Sequence, residues 1–140
     1  MCTSTTPIEA DRSTSRWRPV AYVAMQDPTA RRRITTVLER AGWVVRPQPS
    51  GFHLVQAIAG VIEGHQPWLR PGLIVVDAHA RGCAGTTIAA GLRDLGIVIP
   101  IVLVTAPGQA LPVSPDDTLW IVDDVSAETT VAGLATGVHN

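Results

Sequence analysis

Four stretches of continuous apolar residues constrain this chain more than any other feature: Val20 to Met25, Leu73 to Val76, Ile99 to Val104 and Leu119 to Val122. Each has the length of a strand. None alternates apolar with polar, as a strand with one wet face would, so each predicts a strand buried on both faces. Such strands need helices above and below them, and the intervening segments supply these. Asp27-Pro28 reads as a helix start, with Asp as the cap and Pro in the first turn. Ile34, Val37, Leu38 and Ala41 follow on one face, and Gly42 stops the helix. Trp43-Val44-Val45 is a further short strand, closed by Pro47 and Pro49. A second helix opens at Gly51, with Leu54, Val55, Ile58, Val61 and Ile62 as its apolar positions, and ends at Gly64. His65 to Pro71 is a loop. A glycine-bearing loop, Ala78 to Gly85, leads into a third helix from Thr86 to Leu95, broken by Gly96. Ser126 caps a last helix through Val131, Leu134 and Ala135.

Between the last two strands, Pro107 to Thr118 holds three Pro and one Gly, which excludes a long helix. The order is therefore βαβαβαβ, a loop, then βα. Alternation of this kind predicts an α/β fold, a doubly wound parallel sheet of five strands with helices on both faces. In such sheets function gathers at the carboxyl ends of the strands. The residues there are Met25, Gln26 and Asp27, then Asp77, then Thr105, then Asp123 and Asp124.

Composition narrows the chemistry. Charged residues make up 16% of the chain, against about 25% in an average protein, and the net charge is −1, so no broad field invites nucleic acid. All 11 basic residues are Arg. With no Lys, every mechanism that needs a lysine amine is excluded. Cys2 and Cys83 are too few for a disulfide framework and point to a reducing, cytoplasmic setting. No apolar run reaches the roughly 18 residues of a membrane span. Residues 1–18 are rich in Ser and Thr, with no apolar core of a signal peptide, and are expected to form a disordered tail. Residues 19–138 are expected to form one domain.

Three strings, D-P-T-A-R-R-R-I-T-T-V-L-E-R-A-G-W, G-L-I-V-V-D and I-P-I-V-L-V-T-A, make the chain from 19 to 138 resemble the receiver domain of bacterial two-component response regulators. The resemblance implies a CheY-like, flavodoxin-like (βα)₅ fold and a signalling module with no enzymatic activity of its own. In that family a carboxylate at the end of the third strand accepts a phosphoryl group, and Asp77 is at that position. A hydroxyl at the end of the fourth strand binds the phosphoryl oxygens, and Thr105 matches it. The family holds Mg²⁺ with an acidic pair at the end of the first strand. Here Met25 and Gln26 stand there, and Asp27 falls one place later. The family's lysine at the end of the fifth strand is replaced by Asp123, and the proline after it by Asp124. The fourth helix is shortened or missing.

These departures bear on the chemistry. Mg²⁺ takes oxygen ligands in near-octahedral geometry, and a thioether and an amide are poor substitutes for two carboxylates. Phosphorylation adds roughly −1.5 to −2 charges. Beside an acid instead of a lysine, each like-charge pair at about 4 Å costs on the order of 4 kcal/mol at an effective dielectric near 20. The resemblance thus implies a degenerate receiver that works by protein–protein contact, with a histidine kinase, another receiver or an effector as partner. The 107–138 face is the expected contact surface, with a homodimer as one form of it. Neither nucleic acid nor membrane is an expected partner, and no cofactor is expected.

Two alternatives remain open. Asp77 could be a working phosphoacceptor in a phosphorelay, with Mg²⁺ on Asp27 and Asp77 and Arg81 in place of the lysine. Asp77-Ala78-His79-Ala80-Arg81-Gly82 is also similar to the D-x-H-x-x-G loop of cobalamin-binding domains, whose His ligates cobalt. A cobalamin or flavin domain would follow from that, although the loop here comes after the third strand, not the first. The plain readings are a strand-end Asp77 bonded to local backbone, helix-capping Asp123 and Asp124, a solvent-facing His79 and a solvated Arg31-Arg32-Arg33 run.

Overall fold

The computed structural model describes residues 18–64, 69–79, 82–109, 111, 115–116 and 118–139. The expected N-terminal tail therefore lies outside the described residues up to position 17, as do 65–68 of the expected loop and Arg81. The elements are β1 (Val20–Ala24), α1 (Pro28–Arg40), β2 (Val44–Gln48), α2 (Gly51–Glu63), β3 (Pro71–Asp77), α3 (Gly85–Asp94), β4 (Ile101–Thr105), β5 (Leu119–Asp123) and α4 (Asp124–His139). The five strands pair in parallel in the order β2-β1-β3-β4-β5. This is the flavodoxin-like order expected from the sequence, and it places the point where the winding reverses between β1 and β3.

The continuous apolar runs have a direct structural cause. Along β1, Tyr22 and Ala24 turn to one face and Ala21 and Val23 to the other, and all four are fully buried. The first face packs on Leu54 and Ile58 of α2 and Ile88 and Leu92 of α3. The second packs on Ile34 and Leu38 of α1 and Ala127 and Val131 of α4. Both faces of β1, β3 and β4 are covered, so no polar residue interrupts their apolar runs; β5, expected to be buried on both faces, lies at the sheet edge and is fully buried only at Leu119.

Several boundaries differ from the sequence reading: β3 takes in Pro71, expected in the loop, β4 starts at Ile101 instead of Ile99, and three further differences have a local cause. β2 runs through Pro47 to Gln48 instead of closing before it. It is an edge strand, where a residue without an N–H is tolerated. α3 starts at Gly85, one residue early. A Cβ at Gly85 would lie 2.5 Å from the Asp77 carbonyl oxygen and 2.9 Å from Leu103 Cδ2, so glycine lets the helix start against the end of β3. Finally, α4 begins directly at Asp124, and Ser126 is not its cap. Asp123 takes that role: its Oδ1 accepts from the Ser126 N–H at 3.0 Å and the Ser126 hydroxyl at 2.9 Å.

Among the described residues between β4 and β5 none is helical. The Gln109 N–H donates to the Ala106 carbonyl at 3.1 Å, with Pro107 and Gly108 (φ 75°) between them, the pattern of a type II turn. Leu111 then packs on the α2–α3 face of the core. Among the described residues no helix is long and apolar enough to cross a membrane.

Candidate functional site

Asp77 ends β3 at the reversal point of the sheet, half-buried. Its Oδ2 accepts the Gln26 N–H at 2.9 Å, which ties the β1–α1 turn to β3 across that crevice. Oδ1 has no hydrogen-bond partner among the described residues. Burial pushes the Asp77 carboxyl above its ordinary range; the Gln26 bond pulls it back, and the nearby charges of Asp124 and Asp27 raise it further. Among the described residues, every charged group that shifts Asp77 is thus an acid.

A cavity of about 330 Å³ opens over this carboxylate. Met25, Gln26 and Asp27 line it from the β1–α1 turn, Arg33 and Ile34 from α1, and Asp124 and Glu128 from α4. The side chain of Met25 is 3% exposed and belongs to the core. Asp27 is the N-cap of α1, its Oδ1 accepting from the Thr29 N–H at 3.1 Å. Arg31 folds back to donate from Nη1 to the Met25 carbonyl at 2.7 Å. Among the described residues no group of three or more His, Cys, Asp or Glu is placed to hold a metal ion. A buried thioether, an amide and a carboxylate engaged in capping are a poor donor set for Mg²⁺.

The other strand ends sit beside this cavity without lining it. Thr105 pairs with Asp123 in the sheet. Its hydroxyl donates to Gln109 Oε1 at 2.9 Å, so it is engaged with the turn after β4. Asp123, at the place assigned to the missing lysine, caps α4, and those bonds hold its carboxyl below the ordinary range. Its neighbour Asp124 is the acid that reaches the cavity. Arg33 and Glu128 escaped the sequence reading. Ala30, Arg33 and Ile34, like Asp124, Ala127 and Glu128, stand at i, i+3 and i+4, and this spacing was the available signal. Arg33 forms no ion pair with Asp77. His79 is exposed on the turn after β3, as its plain reading has it.

Large exposed apolar side chains gather away from the 107–138 face. Among the described residues, Phe52, Val55 and Ile62 lie on α2 and Leu95 and Val98 just after α3, whereas Val125 stands alone on α4. The half-buried Cys83 lines an apolar groove of about 230 Å³ between α2 and α3.

No protein-family model and no curated protein matches the sequence. Solved structures do match the fold. A response regulator receiver domain protein from Bacillus halodurans aligns with a TM-score of 0.66 at 14% identity, over 88% of this chain and 97% of that one. This chain has the receiver fold. The N-terminal domain of a response regulator/sensory box/GGDEF protein from Carboxydothermus hydrogenoformans aligns at 0.61 and 19% identity, over 87% and 96% of the two chains. A Francisella response regulator receiver domain gives 0.62 and 18%, over 88% and 100%. Identities this low carry the receiver architecture and leave the chemistry to the residues themselves.

Proposed function

We propose that the chain is a receiver-type signalling module that acts through contact with other signalling proteins and lacks Mg²⁺-dependent phosphoryl acceptance. The observation that carries this reading is the electrostatic setting of Asp77. Among the described residues its charged influences are Asp124 and Asp27, and Arg33, the one described cation lining the cavity, forms no ion pair with it. Phosphoryl transfer depends on cations that neutralise the transferred group and its developing charge. A phosphorylated Asp77 would instead add negative charge to an acid-lined cavity. Asp27, the carboxylate nearest the family's metal position, serves as a helix cap. A receiver switch also needs a cation to read the new charge, and the lysine that would do so is absent.

Its partners are then a histidine kinase, another receiver or an effector, met without a phosphorylation-dependent change of shape. The test is incubation with acetyl phosphate and Mg²⁺, followed by intact-mass measurement and phosphate-affinity electrophoresis. The expected result is an unmodified chain. An adduct that an Asp77→Asn variant cannot form would restore the phosphoacceptor reading.

A further inference from the structure

The helix α1 carries Arg31, Arg32, Arg33 and Arg40 with Glu39 as its one acid. Packing and local bonding account for only one of the four arginines, Arg31, which is bound to the Met25 carbonyl. Elsewhere Arg46 donates to the Tyr22 hydroxyl and Arg93 pairs with Asp116. Arg32, Arg33 and Arg40 have no hydrogen bond or ion pair among the described residues, and all three are exposed.

These three side chains line one groove of about 320 Å³ against α4. Thr29 and Thr36 flank them, Val37 contributes an apolar surface, and Glu128 stands on the far wall. Positions 29, 32, 33, 36, 37 and 40 follow the helical repeat, so they form a single stripe along α1. At 1.5 Å per residue the arginines span about 12 Å.

Fold stability does not ask for this arrangement. Arg32, Arg33 and Arg40 lie along one stripe, and only Arg40, in the last turn, is favoured by the helix dipole. Adjacent guanidinium groups also repel one another. An anionic partner relieves that repulsion, and guanidinium pairs with carboxylate through paired, directional hydrogen bonds. The form of the stripe selects the partner. It is short and one helix wide, it is bordered by Glu39 and Glu128, and it sits on a chain of net charge −1. That suits a peptide segment better than a nucleic-acid backbone, which rewards an extended basic surface.

We propose that the α1–α4 groove docks an acidic segment of a partner protein, its carboxylates pairing with Arg32, Arg33 and Arg40 and its apolar residues resting on Val37. This deepens the reading of the chain as a contact module by naming the chemistry of a partner, and it holds whatever the state of Asp77.

The test titrates the isotope-labelled chain with a short synthetic peptide of alternating Glu and Leu character, followed by two-dimensional amide NMR. A Gln-for-Glu version of the peptide and a short single-stranded oligonucleotide serve as comparisons. The expected result is amide shifts along Thr29 to Arg40 and around Glu128 with the acidic peptide alone. The double variant R32E/R40E, checked for a dispersed spectrum, should weaken binding about tenfold or more. R70E, remote from the groove, should leave it unchanged. Equal shifts with the Gln peptide, undiminished binding by R32E/R40E, stronger binding of the oligonucleotide, or no shifts at all would each overturn the proposal. None of these outcomes touches the Asp77 reading, which fails only on phosphoryl capture.

Discussion

Two cavities share α1 as a wall and are opposite in character. Over Asp77 the lining is acidic, with Asp27, Asp124 and Glu128 around the carboxylate and Arg33 as its one base among the described residues. One turn along the helix, the neighbouring groove is lined by Arg32, Arg33 and Arg40 with Glu128 as its one acid. Arg33 and Glu128 belong to both. A phosphoryl site needs acids to hold a metal and a cation to hold the phosphate, brought to one point. Here acids gather at the strand ends, while Arg32, Arg33 and Arg40 stand along the outer stripe of α1, and of these only Arg33 reaches the acid-lined cavity. The segregation argues for surface recognition over chemistry at Asp77.

Both cavities depend on the shared wall. Ile34 is 1% exposed and anchors α1 to the sheet. Ile34→Ala should destabilise the fold by about 2–5 kcal/mol, read as a lower urea midpoint, and should loosen both cavities together. Gly85→Ala attacks the acid side alone. Its Cβ meets the Asp77 carbonyl, so a loss of about 1–3 kcal/mol is expected from overpacking, with amide shifts at Asp77 and little change along the Arg stripe.

Asp27 separates two roles. Asp27→Ala removes the cap of α1 and should cost about 1 kcal/mol. Asp27→Asn keeps the cap and removes the charge, and should be close to neutral in thermal unfolding. A cost of Asp27→Asn that appears only when Mg²⁺ is present would mean that Asp27 binds metal.

The smallest effect concerns pH. In the folded chain Asp77 holds its proton to higher pH than in the unfolded chain, chiefly through burial. The folded state then binds more protons, so stability falls as pH rises from the ordinary carboxylate value through the raised folded value. Asp77→Asn should be modestly more stable than the parent at neutral pH and lose that advantage in acid. Asp123 works with the opposite sign. Its carboxyl is held low by the Ser126 bonds, so its contribution is present above the ordinary range and lost as pH falls through the folded value. Equilibrium unfolding from acid to neutral pH, with and without the Asp77→Asn change, checks the first sign.

Much of this was legible in the chain. Continuous apolar runs fixed the buried strands, because both faces of the sheet are covered, and Asp27-Pro28 marked the start of α1 through local capping. The type II turn at Pro107-Gly108 agrees with a segment too rich in proline for a helix. The start of α4 is ambiguous in the sequence because Asp123 and Ser126 are both good caps, and the length of β5 decides between them. The lining of the Asp77 cavity by Arg33 and Glu128 was out of reach for a different reason. It depends on how α1 and α4 lie side by side, and helical spacing names a face without naming what it meets.

The most direct test of the account is a two-dimensional amide NMR titration with Mg²⁺ followed by beryllofluoride, a mimic of the phosphoryl group. The segregated arrangement predicts a dispersed spectrum that stays unchanged through both additions. Shifts clustered on Gln26, Asp27, Asp77 and Thr105, and abolished by Asp77→Asn, would show a competent phosphoryl pocket and contradict it.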